Sequence, residues 1–102
     1  MSQVRFLRPA EKEVEEAVAY FDDQRDGLGD RFERELADTV ETLVEYPRSG
    51  KPLSKLIRKL RLRSFPYNLI YAVDDDEIII VAVAHHRRRP DYWRSRLTLI
   101  HS

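Results

Sequence analysis

Two histidines, three consecutive arginines and two aromatic rings stand together in the most chemically loaded stretch of the chain: His85-His86-Arg87-Arg88-Arg89-Pro90-Asp91-Tyr92-Trp93. Guanidinium groups meet phosphates and rings stack on bases, so this mixture suits a nucleic acid. A histidine beside arginines is pushed toward its neutral form, which suits a general base. His85 and His86 are adjacent, so on a continuing strand they face opposite ways and cannot share a site without a turn. Only Asp91 stands near as a further ligand, which argues against a metal centre. Trp93 reads as a hydrophobic lid packed back on a sheet; Tyr92 reads equally as lid or as site residue.

A second basic stretch runs from Arg58 to Ser64 (RKLRLRS). Read as a strand, it puts Leu60 and Leu62 on one face and Lys59, Arg61 and Arg63 on the other. Three aligned cations repel one another, so they point to an anion site for phosphate or for an acidic peptide. The plainer reading is a solvated edge strand whose charges deter edge-to-edge pairing.

The charge is gathered rather than added, because the whole chain is neutral. Glu11 to Glu45 holds thirteen acidic residues against four basic, while Arg48 to Arg63 holds seven basic and no acidic residue. An acidic helical side and a basic sheet side are therefore expected, and the one-signed window sets up a local field. There is no glycine-rich phosphate loop, no pair of carboxylates placed for acid–base work and no serine nucleophile motif. No cofactor and no metal are expected. Cysteine is absent, which fits a reducing compartment and a cytoplasmic location. No apolar run nears the roughly 20 residues that span a bilayer, and the opening MSQVRFLRPAEKE lacks the apolar stretch of a signal peptide.

The elements that must position these groups follow from periodicity. Val4–Leu7 reads as a first strand. Pro9 suits a first helical turn, and Ala10, Val14, Ala17, Val18 and Phe21 form an amphipathic stripe. Glu11, Glu13, Glu15 and Glu16 fall where the helix dipole favours acids. Gly27 and Gly29 are expected to stop this helix. A second helix starts near Leu28–Asp30, with Phe32, Leu36, Val40, Leu43 and Val44 as its stripe, and Pro47 ends it. The short link makes an antiparallel hairpin. A loop at Arg48–Ser54 leads into strands at Ile57–Phe65, Tyr67–Val73 and Glu77–Ala84, with Pro66 marking a bend or edge and Asp74–Asp76 a tight turn. The unbroken apolar run Ile78–Ala84 is expected to be covered on both faces. The expectation is one α+β domain over residues 1–102, of order β-α-α-β-β-β, with the helix hairpin packed on one face of a small, mostly antiparallel sheet.

With the opening VRFLRPAEKEVEEAVAYF, the link RDGLGDRF, the strand LRLRSFPYNLIY and the ending VAVAHHRRRPDYW in this order and spacing, the chain resembles the RelE/ParE superfamily of toxins from bacterial type II toxin–antitoxin systems, also called plasmid stabilization proteins. The resemblance implies the same β-α-α-β-β-β fold. It implies either a ribosome-dependent, metal-independent mRNA endoribonuclease (an mRNA interferase), the reading placed first, or a non-enzymatic inhibitor of DNA gyrase. A degenerate member that only binds its partner is the third reading. For RNA cleavage it assigns catalytic roles to Arg61, His86, Arg87 and Tyr92, with Lys59, Arg63, Asn68, Arg88 and Arg89 binding RNA. Tyr92 and Trp93 both fall where the family tyrosine is expected. Asn68 stands where the family has an arginine; an amide can hydrogen-bond a phosphate but cannot neutralise it. The resemblance further implies a cognate antitoxin, mRNA on the ribosome or gyrase as target, no membrane, and a homodimer or a toxin–antitoxin hetero-oligomer as the assembly.

Overall fold

The computed structural model describes residues 3–101; Met1, Ser2 and Ser102, included in the expected domain, lie outside the described residues. The chain runs β1 (Gln3–Phe6), α1 (Arg8–Gln24), α2 (Leu28–Glu45), β2 (Lys51–Pro52), β3 (Ile57–Arg61), β4 (Tyr67–Asp74) and β5 (Glu77–His85), and closes with a 3₁₀ segment at Arg94–Leu99. The five strands form one sheet in the order β1-β5-β4-β3-β2, with β1 parallel to β5 and the other pairs antiparallel.

Pro9 sits in the first turn of α1, where its missing N–H leaves no partner wanting. Gly27, at φ 84°, makes the left-handed turn into α2. Gly29 does not stop a helix; it lies in the first turn of α2, where an added Cβ would stand 2.7 Å from Val18 O and from Asp22 Oδ1. Glycine here lets the two helices close on each other, and its N–H donates to Asp22 Oδ1 at 2.8 Å.

The helices lie on one face of the sheet. Phe32, Leu36 and Leu43 from α2 and Ala10 and Ala17 from α1 pack with Leu62, Phe65, Leu69, Tyr71, Ile78, Ile80 and Val83. Phe32 is the hub of a ring cluster with Phe21, Phe65 and Tyr67, at centroid distances of 5.1–5.4 Å. Burial of these apolar faces is the main force holding the layers together.

Several features bear on the sequence expectation. First, the far face of the sheet is partly covered, as expected of the run Ile78–Ala84 and of Trp93. The chain after β5 folds back over it, and Trp93 and Ile100 bury themselves against Leu7, Ile57, Ile70, Ala72, Ile79, Val81 and Ala82. Second, β3 ends at Arg61 and not at Phe65, because Ser64 donates its N–H to Glu35 Oε2 at 2.9 Å and Pro66 closes the bend. Lys59 and Arg61 keep a common face, while Arg63 leaves the strand. Third, the register of β5 on β4 slips: Ile70 pairs with Ala82 but Tyr71 with Ile80, which leaves Val81 as a β-bulge. The bulge sets Ala82 on the far face and turns Val83 toward the helices. The two-residue β2, expected as loop, pairs with Arg58 and Lys59.

Candidate anion-binding cleft

Beside the returning chain, the far face leaves a cleft of about 190 Å³ at the β3–β4 end of the sheet. Its floor is Ile70 and Ala84, its sheet-side polar groups are Lys59 and Asn68, and its other wall carries His86, Arg88, Arg89, Tyr92 and Trp93. Strand register brings these together: Asn68 lies opposite Arg61 on one side and Ala84 on the other, and Lys59 lies opposite Ile70. Side chains of small Ala84 leave room that a larger residue would fill.

Arg61 shares the face of Lys59 and adjoins Asn68 in register, but it is exposed and does not line the cleft. Arg87 is also outside the lining; its backbone N–H donates to His85 Nδ1 at 3.1 Å. Arg63 stands apart, beside Glu35. Burial pushes the Glu35 carboxyl up, but hydrogen bonds from Ser64 and Arg63 and the Arg63 charge outweigh it, so its pKa is lowered. His86 turns back: its N–H donates to Pro66 O at 2.8 Å and its ring Nδ1 lies 3.3 Å from the same oxygen. The rings of His85 and His86 stand 4.6 Å apart, so the strand end turns and does not send them to opposite faces. Burial, then His86 and Arg87, lowers the pKa of His85. No group of three His, Cys, Asp or Glu side chains suited to a metal ion occurs among the described residues.

The residue that sequence reading passed over is Glu13. The pairing of β1 with β5 stops at Phe6 and Ile80, so beyond Ile80 that flank of β5 has no neighbouring strand among the described residues. Glu13 reaches there from α1. It accepts Val83 N–H at 3.0 Å, the Tyr92 hydroxyl at 2.6 Å, and Arg96 Nη1 and Nη2 at 2.8 and 3.0 Å. Arg96 Nη1 also donates to Val81 O at 3.2 Å. Glu13 and Arg96 are 11% and 15% exposed in their side chains, so the pair is little screened by water. Burial and the hydrogen bond to Glu13, with its charge, raise the pKa of Tyr92; the hydrogen bond to Glu13 raises that of Arg96. The Arg88 guanidinium lies 3.9 Å from the centre of the Tyr92 ring, a cation–π contact on the cleft wall. At the far end of the returning chain, Arg5 donates to Ile100 O and pairs with Glu77 at 3.0 Å. The returning chain is thus fastened at both ends.

A helix hairpin packed on a mostly antiparallel five-stranded sheet is the α+β fold of the ParE and RelE toxins. Two solved structures share the fold: the chromosomal ParDE toxin–antitoxin system from P. aeruginosa, at TM-score 0.73 and 16% identity over 83% of this chain and 96% of that one, and the isolated E. coli RelE toxin, at TM-score 0.66 and 22% identity over 98% and 100%. The model of the ParE toxin of type II toxin–antitoxin systems, parDE, matches residues 4–90, and the chain belongs to that family. It is a toxin of a type II toxin–antitoxin system, and the family implies an antitoxin partner. No curated protein sequence matches it. No helix among the described residues is long and apolar enough to cross a membrane.

Proposed function

We propose that this toxin acts by binding, as a ParE-like inhibitor of DNA gyrase that uses the basic cleft as its contact surface, and not by cutting RNA. The observation that carries this reading is the commitment of the Tyr92 hydroxyl to Glu13 at 2.6 Å. A phenol whose proton is held by a carboxylate, and whose pKa is raised, is a poor acid for a leaving oxygen. Asn68, in the place of an arginine, adds no charge to a phosphate. Arg61 and Arg87 stand outside the cleft lining. What the cleft offers is Lys59, Arg88 and Arg89 around an amide, an arrangement that holds anions. The cognate antitoxin would oppose it with an acidic or amphipathic segment that orders on contact. Both targets place the protein's action in the cytoplasm.

One observation favours the second reading, ribosome-dependent mRNA cleavage: His86 lines the same cleft as Lys59, Asn68 and Arg88. There His86 would move the proton in 2′-OH attack on the adjacent phosphate, with Tyr92 as a catalytic residue and Lys59, Asn68, Arg88 and Arg89 holding RNA, while Arg61, Arg87 and Arg63 would have to act from outside the cleft lining. Two assays on the purified chain decide between them. Primer extension on message carried by translating ribosomes is expected to give full-length product, while plasmid supercoiling by gyrase is expected to fall. Cut message with unchanged supercoiling would reverse the assignment.

A further inference from the structure

We propose that Glu13 is the positioning residue of the basic cleft: from α1 it fixes the Tyr92 ring, and through that ring it sets where the Arg88 guanidinium stands. The inference rests on the reading of the cleft as the anion-contacting surface. Three observations carry it. Glu13 lies on the buried stripe of α1, three residues after Ala10 and four before Ala17, both buried, so its carboxylate is delivered under the sheet edge and not to solvent. The carboxylate binds the Tyr92 hydroxyl and, in a two-point contact, Arg96, so the ring is anchored at its polar end. Arg88 lies over that ring at 3.9 Å, and the Arg96 guanidinium lies 5.0 Å from its centre.

The charge arithmetic gives the arrangement a purpose. Two guanidinium groups approach one ring. Glu13 neutralises Arg96, whose side chain is largely buried, and forms no ion pair with Arg88, which is exposed. The charge of Arg88 is left for whatever enters the cleft. Were the carboxylate to pair with Arg88 instead, the cleft would lose one of its three cations. A buried hydrogen-bonded anchor also spares the cleft wall the cost of ordering a long arginine at the moment of binding.

The test uses inorganic pyrophosphate as the probe on the full chain at low ionic strength, with NMR titration giving Kd and the Arg88 side-chain signals together. In the native protein those signals should be displaced by the ring current of Tyr92. Arg88→Ala should weaken pyrophosphate about tenfold, the size of one lost charged contact. Glu13→Gln keeps the volume but loses the charge, and Tyr92→Phe keeps the ring but cuts its tie to Glu13. Each should weaken the probe about threefold, and the Arg88 signals should move toward their random-coil positions. Combined with Arg88→Ala, neither should add a further loss, because Glu13 acts through Arg88. A lower Tm in Glu13→Gln with affinity and Arg88 signals unchanged would make Glu13 merely structural and overturn the proposal. Should Glu13→Gln fail to fold, the Tyr92→Phe result decides in the same way. Binding that ignores Arg88→Ala would remove the cleft reading itself, and the proposal with it.

Discussion

The hydroxyl of Tyr71, in the middle of β4, accepts the N–H of Gly50 at 2.9 Å and donates to the carbonyl of Pro47 at 2.8 Å. One buried phenol thus satisfies both sides of the loop that carries the chain from α2 into the basic strands. Gly50 is needed there, since an added Cβ would meet the same oxygen at 2.6 Å. Tyr71→Phe keeps the ring but strands the buried Gly50 N–H and leaves the part-buried Pro47 carbonyl to water. The buried group alone costs about 1–3 kcal/mol. Thermal unfolding should show a lower Tm, by roughly 4–8 °C for each kcal/mol, with the cleft unaltered.

Leu36 is 5% exposed and sits where α2 meets the sheet. Leu36→Ala should cost about 2–5 kcal/mol in denaturant unfolding, depending on how far the site collapses. A loss near zero would mean that α2 does not pack as described.

The pH dependence has two arms of known sign. His85 has its pKa lowered from 6.5, so below that value the unfolded chain takes up a proton that the native state resists. Its stabilising contribution is complete above 6.5 and declines as the pH falls through it. Tyr92 has its pKa raised above 10.0, so above that value the unfolded phenol ionises first and stability declines as the pH rises. NMR titration of the His85 ring should give a midpoint under 6.5. Ultraviolet titration should leave two tyrosines, Tyr67 and Tyr92, protonated past 10, and Glu13→Gln should bring Tyr92 down.

Arg63 and Arg88 were equivalent as sequence and are not equivalent in space. Arg63 stands beside Glu35, outside the cleft, while Arg88 lines it. Arg63→Ala should leave pyrophosphate binding within twofold of the native value, whereas Arg88→Ala should not. Equal losses in the two variants would place the anion site elsewhere.

The element order was legible because each stripe has a clean period: Phe32, Leu36 and Leu43 are buried as their spacing requires, and so is the apolar run Ile78–Ala84. The unbroken run hid the bulge at Val81, because alternation cannot be read where every residue is apolar. Arg63 was misplaced because alternation assumes a strand that continues, and a carboxylate from α2 ends this one. The returning chain was legible only in Trp93; its fastening was not, since Glu13 and Arg96 are 83 positions apart. Glu13 did leave one signal, a carboxylate at a buried stripe position between Ala10 and Ala17, which a dipole explanation absorbed.

The most direct measurement is supercoiling of relaxed plasmid by purified gyrase, titrated with the native chain and with a Lys59→Ala/Arg88→Ala/Arg89→Ala variant of unchanged Tm. Supercoiling should be lost with the native chain and retained with the variant. Supercoiling that persists at excess native chain would contradict the account.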